Sequence, residues 1–275
     1  LTGRLRMQPI SLEEMKQIQV DILKDVHLFC EKNNIRYTLI YGSLLGAVRH
    51  KGYIPWDDDI DIAMLRDDFE KFVASYKSEN GFYRVYDCRK DKGYYYPFLK
   101  VADTRTVLEE NVSMQNIGVN IDIFPCDYLF DTKQECINFI KKLDFLKKLF
   151  RIKLVKPGKK NSFIKRILIR VLKLFCLPIS MKNIVDREYA LVNRLTNHNA
   201  KFVGFAFSSD LSCSYRSICP REVFEKYEKV PFEKETFEII SSYDEWLTQM
   251  FGDYMTPPPA KERTSPHTLN NVYWK

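Results

Sequence analysis

Asp59 and Asp61 close the run Ile54-Pro-Trp-Asp-Asp-Asp-Ile-Asp61. On an extended strand, side chains at i and i+2 share a face. The two carboxylates therefore converge on one point, while Ile60 and Ile62 turn to the other side. Paired carboxylates suit a hard divalent cation such as Mg²⁺ or Mn²⁺, which takes oxygen ligands and leaves positions open for substrate phosphates. Asp57 and Asp58 extend the acidic run. Their expected role is hydrogen bonding around the ligands or placing the loop, and a cation would relieve the repulsion along the run. Upstream, Gly42-Ser43 follows an apolar stretch. A Gly-Ser turn lets backbone N–H groups and a hydroxyl approach a phosphate closely. Ser43 is also placed to cap a helix over Leu44–Arg49, which is compatible with a phosphate at that helix start. These residues describe phosphoryl or nucleotidyl transfer. A glycosidase pair fits poorly, because its acid and base must flank a sugar ring, whereas Asp-x-Asp puts both carboxylates on one side.

An isolated Asp-x-Asp is commonly just a wet loop, so the flanking elements carry weight. Ile35–Tyr41 reads as a strand, Leu44–Arg49 as a short helix and Ile60–Leu65 as the next strand. A third acid, Asp122, sits in Val119-Asn-Ile-Asp-Ile-Phe124. Alternation puts Asn120, Asp122 and Phe124 on one face and Val119, Ile121 and Ile123 on the other. A carboxylate among isoleucines is costly to bury unpaired, though a wet strand face would also accept it. Arg49, His50 and Lys51 precede the acidic run; Arg49 either holds a diphosphate or belongs to a solvated loop. Lys100 interrupts the apolar Phe98-Leu-Lys-Val101, so it stands at a sheet edge or points into a polar cleft.

The elements that must position these residues follow from periodicity. Ser11-Leu-Glu-Glu14 is a capping box, with Ile10 and Met15 at staple positions. A helical apolar stripe runs from there to Asn33-Asn34. Arg66–Tyr76 reads as a second helix, and Tyr83–Cys88, Pro97–Ala102 and Thr106–Glu110 as strands before the Asp122 strand. This order predicts an α+β core with a mixed sheet and helices on one side. Beyond Asp131 the pattern turns helical: Lys133–Leu149, a break at Pro157-Gly158, a basic amphipathic helix over Phe163–Leu177, then Met181–His198. The expected organisation is a catalytic core over 1–130, a helical basic insertion over 131–200 and a C-terminal segment, 201–275, returning to the core.

Hydrophobic content of 45% and charged content of 29% are ordinary for a globular chain. Seven cysteines, an odd number without any Cys-x-x-Cys, indicate neither a disulfide framework nor a zinc site and suit a reducing cytosol. Arg4 and Arg6 have no apolar stretch behind them, so no secretory leader is expected. The net charge of +7 is uneven: fourteen Lys or Arg and one acid, Asp144, fall between Lys141 and Lys182. That concentration points to an anionic surface. On a helix over Phe163–Leu177, Arg166, Arg170 and Lys173 form one cationic stripe opposite Ile164, Ile167, Leu168, Val171, Leu172 and Phe175. The segment is too short to span a bilayer but suits its interface. The same pattern also describes a core helix whose basic residues reach to water.

The block from Tyr41 to Asp61 resembles the LicD family of phosphocholine transferases, which includes fukutin-type ribitol-phosphate transferases within the DNA polymerase β-like nucleotidyltransferase fold. The resemblance extends over the Ser11–Asn34 helix, Phe98–Asp103, Asn120–Pro125, and the tail from Phe251-Gly-Asp-Tyr through Pro259 to Arg263 and His267. It departs at Thr268, where the family often carries a second histidine. It implies a polymerase-β-like core with a helical insertion, in which Asp59, Asp61 and Asp122 are both catalytic and ligands of one or two Mg²⁺ or Mn²⁺ ions. Gly42, Ser43, Arg49, Lys100, Arg263 and His267 would bind substrate, with Lys100 in the cleft. Choline is held by cation–π contacts, and Trp56 and the tyrosines at 94–96, Tyr95 at their centre, are the cage candidates.

The implied reaction moves phosphocholine from CDP-choline to a sugar hydroxyl of a teichoic acid or lipopolysaccharide precursor, with Asp122 helping to deprotonate the acceptor. The implied partners are CDP-choline, a lipid-linked glycan and an anionic membrane, at the inner face of the plasma membrane. Another alditol phosphate, ribitol or glycerol phosphate, from its CDP conjugate is the alternative donor group. A nucleic-acid-binding nucleotidyltransferase is a further class, disfavoured because the basic segment alternates with Leu and Ile and not with stacking aromatics. A non-catalytic membrane adaptor is disfavoured by the presence of all three acids.

Overall fold

A computed structural model describes residues 8–110, 112–156, 163–176, 178–208, 211–264 and 271–275. The expected break at Pro157-Gly158, and His267, lie outside them. The chain begins with β1 (Gln8–Pro9), α1 (Leu12–Asn33), β2 (Thr38–Leu39), α2 (Tyr41–His50), β3 (Asp61–Leu65) and α3 (Arg66–Ser75). Four strands follow: β4 (Tyr83–Tyr86), β5 (Leu99–Asp103), β6 (Thr106–Glu109) and β7 (Asn120–Tyr128). Then come the helices α4 (Lys133–Leu154), α5 (Phe163–Phe175) and α6 (Met181–Val192). The rest comprises β8 (Phe202–Gly204), α7 (Leu211–Arg216), β9 (Cys219–Pro220), the hairpin β10 (Tyr227–Phe232) and β11 (Glu235–Ile240), α8 (Tyr243–Phe251) and β12 (Asn271–Trp274).

Helix α1 shows why these boundaries fall where they do. Ser11 stays extended and its Oγ accepts from the Glu14 N–H at 3.1 Å. Asn34 ends the helix in the left-handed region (φ 51°), its N–H bonding back to Cys30 and Glu31 carbonyls, a conformation asparagine tolerates better than most residues. Only half of the expected capping box forms. The Glu14 carboxylate instead accepts from the Trp274 indole N–H at 3.0 Å, tying α1 to β12. The buried stripe of α1, including Met15, Ile22, Leu23 and Val26, lies on the main core.

The sheet that α1 covers runs β2-β3-β7-β5-β4, with β8 pairing beyond on β7 and β9 on β8. Pairing is antiparallel except between β3 and β7, which are parallel. The sheet is therefore mixed, in a core of strands and helices together. The strand expected over Ile35–Tyr41 shrinks to Thr38–Leu39, and α2 starts three residues early, at Tyr41. Tyr41 makes this sharp exit from β2 by adopting φ 50°. The β10–β11 hairpin joins the β2 end through side chains: Thr38 Oγ1 accepts from the Ile240 N–H at 2.9 Å. A separate three-stranded sheet, β1-β12-β6, brings the chain's two ends together.

Two cores result. The larger surrounds the main sheet and takes in Phe205, Phe224, Phe232 and Trp246 from the C-terminal third. The smaller packs α4 against α6, with Phe139, Ile140, Leu143, Ile184 and Val185, and borrows Ala206, Phe207 and Ile218. None of the cysteines forms a disulfide. Among the described residues no helix is long and apolar enough to cross a membrane.

The entry into β7 is the tightest junction. Thr106 Oγ1 accepts from the Val119 N–H at 2.8 Å and donates to the Asp103 carbonyl at 2.9 Å. A Cβ on Gly118 would lie 1.8 Å from that same carbonyl. Gly118→Ala must therefore push β5 and β7 apart, and we expect it to cost ~1–3 kcal/mol or more. Urea unfolding checks this; an unchanged midpoint would show that the junction yields freely.

Candidate active site

Strand register assembles the site. In the parallel pair, Asp61 of β3 lies opposite Asp122 of β7. In the antiparallel pair, Lys100 of β5 lies opposite Asp122 from the other side. One row across three strands therefore reads Asp61–Asp122–Lys100. Lys100 is buried, with Nζ 2.6 Å from Asp122 Oδ1 and 2.9 Å from Asn120 Oδ1. Both partners belong to the β7 face that alternation assigns to Asn120 and Asp122. Lys100 thus turns to the polar face of β7 from an inner strand and does not stand at a sheet edge, and its ammonium also lies 5.4 Å from the Tyr96 ring centroid.

Burial raises the proton affinity of Asp61 well above the usual carboxylate range. Repulsion from Asp59, Asp122 and Asp57 adds to that rise, and Lys100 opposes it. Asp59 is thus electrostatically part of the row although it precedes β3. The acidic loop is more compact than the sequence suggests. One carboxylate oxygen from each of Asp57, Asp58 and Asp59 lies within 4.8 Å of the others, the spacing a single cation would bridge. Asp57 and Asp58, expected only around the ligands, share that ligand-sized group with Asp59.

Neighbouring residues hold the loop in place. Gln19, buried on α1, donates from Nε2 to the Asp58 carbonyl at 3.1 Å and to the Asn120 carbonyl at 3.2 Å. Its own Oε1 accepts from the Tyr53 hydroxyl at 2.9 Å. Gly42 lies so close to the loop that a Cβ there would sit 2.5 Å from Asp57 Oδ2. Ser43 differs from expectation. It is buried inside the first turn of α2, whose N-cap is Ile40, and its Oγ accepts from the Asp61 N–H at 2.8 Å. Its hydroxyl therefore seats the start of β3 and does not cap the helix.

A cationic and aromatic wall is built from the end of α2, from Trp56 next to the acidic loop in the chain, and from the C-terminal tail. Arg49 donates to the Tyr254 carbonyl at 2.5 Å and to His50 Nε2 at 2.9 Å. Burial lowers the proton affinity of Arg49, and the charge of Arg263 lowers it further. His50 is likewise shifted down, by burial and by Arg49, consistent with a neutral imidazole that accepts from Arg49. The Arg263 guanidinium lies 5.5 Å from the Trp56 ring centroid. Arg263, some two hundred residues further on, is thus brought to Arg49 and Trp56. Two guanidinium groups near enough to repel are suited to an anion between them.

The aromatic candidates have different surroundings. The Trp56 ring is faced by Arg263, with His50 edge-on at 6.5 Å. Tyr95 packs against the smaller, helical core. Tyr94 is buried and donates to the Phe98 carbonyl at 2.8 Å. Tyr96, stacked on Phe98, is the tyrosine of this group that meets the acid row. Sequence reasoning missed Gln19 and Tyr53. Gln19 left a signal, a polar residue on the buried stripe of α1; the Tyr254 carbonyl left none.

The family model described as LicD/FKTN/FKRP, nucleotidyltransferase domain, matches residues 34–168, which hold Asp59, Asp61, Lys100 and Asp122. The chain is similar to the lipopolysaccharide cholinephosphotransferase LicD of Haemophilus influenzae, 30% identical over 271 residues, covering 97% of this chain and 99% of that protein. An uncharacterized protein of Rickettsia typhi is 41% identical over 70 residues, 24% of this chain and 23% of that one. Another, of Rickettsia prowazekii, is 53% identical over 47 residues, 17% and 18% of the two chains.

The crowding of charge predicts a pH-dependent gain on removing one acid. A carboxyl whose folded-state proton affinity is raised makes the metal-free fold less stable as pH rises from the unfolded value through the folded one. At pH 7, Asp61→Asn without divalent ions is therefore expected to melt a few degrees above wild type. The gap should close as pH falls below the ordinary carboxylate range, where the folded and the unfolded wild-type chain both hold the proton. Melting curves at pH 7 and in that acid range, with EDTA, decide; no gap at pH 7 would mean that the row is not strained by charge.

Proposed function

The chain belongs to the LicD family of nucleotidyltransferase domains, and on that premise we propose that it transfers phosphocholine from CDP-choline to a sugar hydroxyl of a cell-surface glycan precursor, releasing CMP. The observation that carries the reading is the Asp61–Asp122–Lys100 row with Asp59 beside it, in a chain that matches a lipopolysaccharide cholinephosphotransferase almost end to end. The acceptor is a lipopolysaccharide or teichoic acid precursor, lipid-linked and met at the inner face of the plasma membrane.

The donor set fits a hard divalent cation. Its atoms are carboxylate oxygens, and Asp61 is strained by the like charges of Asp59, Asp122 and Asp57. Asp59, Asp61 and Asp122 would hold Mg²⁺ or Mn²⁺, with Asp57 within reach. Such an ion supplies charge neutralisation for the transferring phosphate. The protein's own groups do the remainder. Arg49 and Arg263 grip the diphosphate of the donor, and Gly42 lets backbone approach it. Lys100 holds Asp122 in one orientation, from which its carboxylate accepts the proton of the attacking hydroxyl. Trp56, faced by Arg263, adjoins Asp57 in the chain, and on this reading donor and acceptor meet over Asp57–Asp59.

One observation favours a second donor group. The Trp56 face is engaged by Arg263, and Tyr95 is turned to the helical core. That leaves a thinner aromatic lining for a quaternary ammonium and favours an alditol phosphate carried on CDP.

Two measurements test these readings. Asp59→Asn and Asp122→Asn should each lower turnover ~100-fold or more, as expected when transition-state charge stabilisation is removed, while circular dichroism stays unchanged. Near-wild-type turnover of both with Mg²⁺ present would remove the metal-site reading. In a mass-spectrometric panel, CDP-choline should turn over well and CDP-ribitol or CDP-glycerol poorly; the reverse order would establish the alditol reading.

A further inference from the structure

Helix α5 carries no acid: its charged residues are Lys165, Arg166, Arg170 and Lys173. Its outward face is apolar. Ile167, Val171 and Leu174, at i, i+4 and i+7, fall on one stripe and are 44%, 41% and 64% exposed. Leu172 adds 39% beside them. Arg170 is exposed at the flank of the stripe. Lys173, expected in the outer cationic stripe, turns inward instead. It donates to the Lys153 carbonyl at 3.0 Å and to Ser113 Oγ at 3.2 Å. Lys153 returns the contact to the Cys176 carbonyl at 2.9 Å. The C-terminal ends of α4 and α5 are thus stitched together, which holds α5 against the protein with its apolar stripe outward. The adjoining helix α4 exposes Lys141, Lys142, Lys148 and Arg151.

An outward row of large aliphatic side chains flanked by cations has one matching partner in charge and polarity, an anionic lipid bilayer. A helix of 13 residues is about 20 Å long, too short to cross the hydrocarbon and long enough to lie in its interface. We propose that α5 is a membrane-docking helix: Ile167, Val171 and Leu174 enter the acyl boundary, while Arg170 and the exposed α4 cations engage anionic headgroups. The lipid-linked acceptor gives this surface its use, and to that extent the inference rests on the proposed function. Docking itself needs no turnover.

Flotation of the full chain with vesicles separates the two. Wild type should float with phosphatidylcholine vesicles containing 30% phosphatidylglycerol, weakly or not at all with pure phosphatidylcholine, and less at high salt. The triple variant Ile167→Ser, Val171→Ser, Leu174→Ser should lose ~10-fold or more of the bound fraction, and Arg170→Gln should weaken binding and its salt dependence. Circular dichroism, and turnover of CDP-choline with a water-soluble acceptor sugar, should match wild type in both. Equal flotation on neutral and anionic vesicles, or a triple variant that floats like wild type, would overturn the proposal. So would a wild-type dimer in sedimentation that the triple variant dissolves without any flotation, which would make the stripe a self-association face. Failure of turnover in wild type with normal flotation would count against the transferase reading and leave the docking helix standing.

Discussion

Carboxylates that repel one another are pressed together at the head of β3 and β7, and the buried ammonium of Lys100 is what offsets them. Removing one partner of a buried ion pair strands the other at a cost of several kcal/mol, so Lys100 and Asp122 stand or fall together. Much of the surrounding structure serves this arrangement. β5 exists in register to deliver Lys100. Asn120 takes a second bond from the ammonium, and Gln19 straps the acidic loop to the start of β7. The site is thus a feature of the sheet's pairing, and a slip of one residue in β5 or β7 would turn its charges into the core.

The cationic wall obeys the opposite constraint. Burial and the charge of Arg263 lower the hold of Arg49 on its proton, and the two residues are each tied to the tail. Arg49 bonds to the Tyr254 carbonyl, and Arg263 to that of Pro258. An acidic loop flanked by a paired-guanidinium wall gives a cleft with a steep internal field. A molecule carrying both a diphosphate and a coordinated cation satisfies both sides at once.

Local patterning made the acid row legible. Two-residue alternation assigns Asn120 and Asp122 one face of β7, and the contact of both with Lys100 bears this out. Ser11 marks the start of α1 because capping is decided within four residues. What sequence could not yield are choices among distant partners. Glu14 was expected to fold back on its own helix and bonds to Trp274. Ser43 was expected to cap α2 and instead seats β3. Lys173 was expected to face solvent and caps the neighbouring helix. In each case a polar side chain has two satisfactory partners, one local and one remote, and only packing decides between them. The tyrosines show the same ambiguity: Tyr95 and Tyr96 both pack on the helical core, yet Tyr96 also meets the ammonium.

The parallel pairing of β3 with β7 also governs how the protein comes into being. Asp61 and Asp122 are about sixty residues apart, and β2 is completed by the Ile240 amide, 202 positions beyond Thr38. Contacts at such separations demand loop closure before any reward, which slows folding. A nascent chain that has left the ribosome only as far as β3 displays its aspartates on an unpaired strand and holds no formed site. Ile62, Ala63 and Met64 of β3 then wait for β7 with one edge open, the situation in which intermediates aggregate. Expression yield should therefore depend on chaperone capacity and growth temperature more than the stability of the finished protein would suggest.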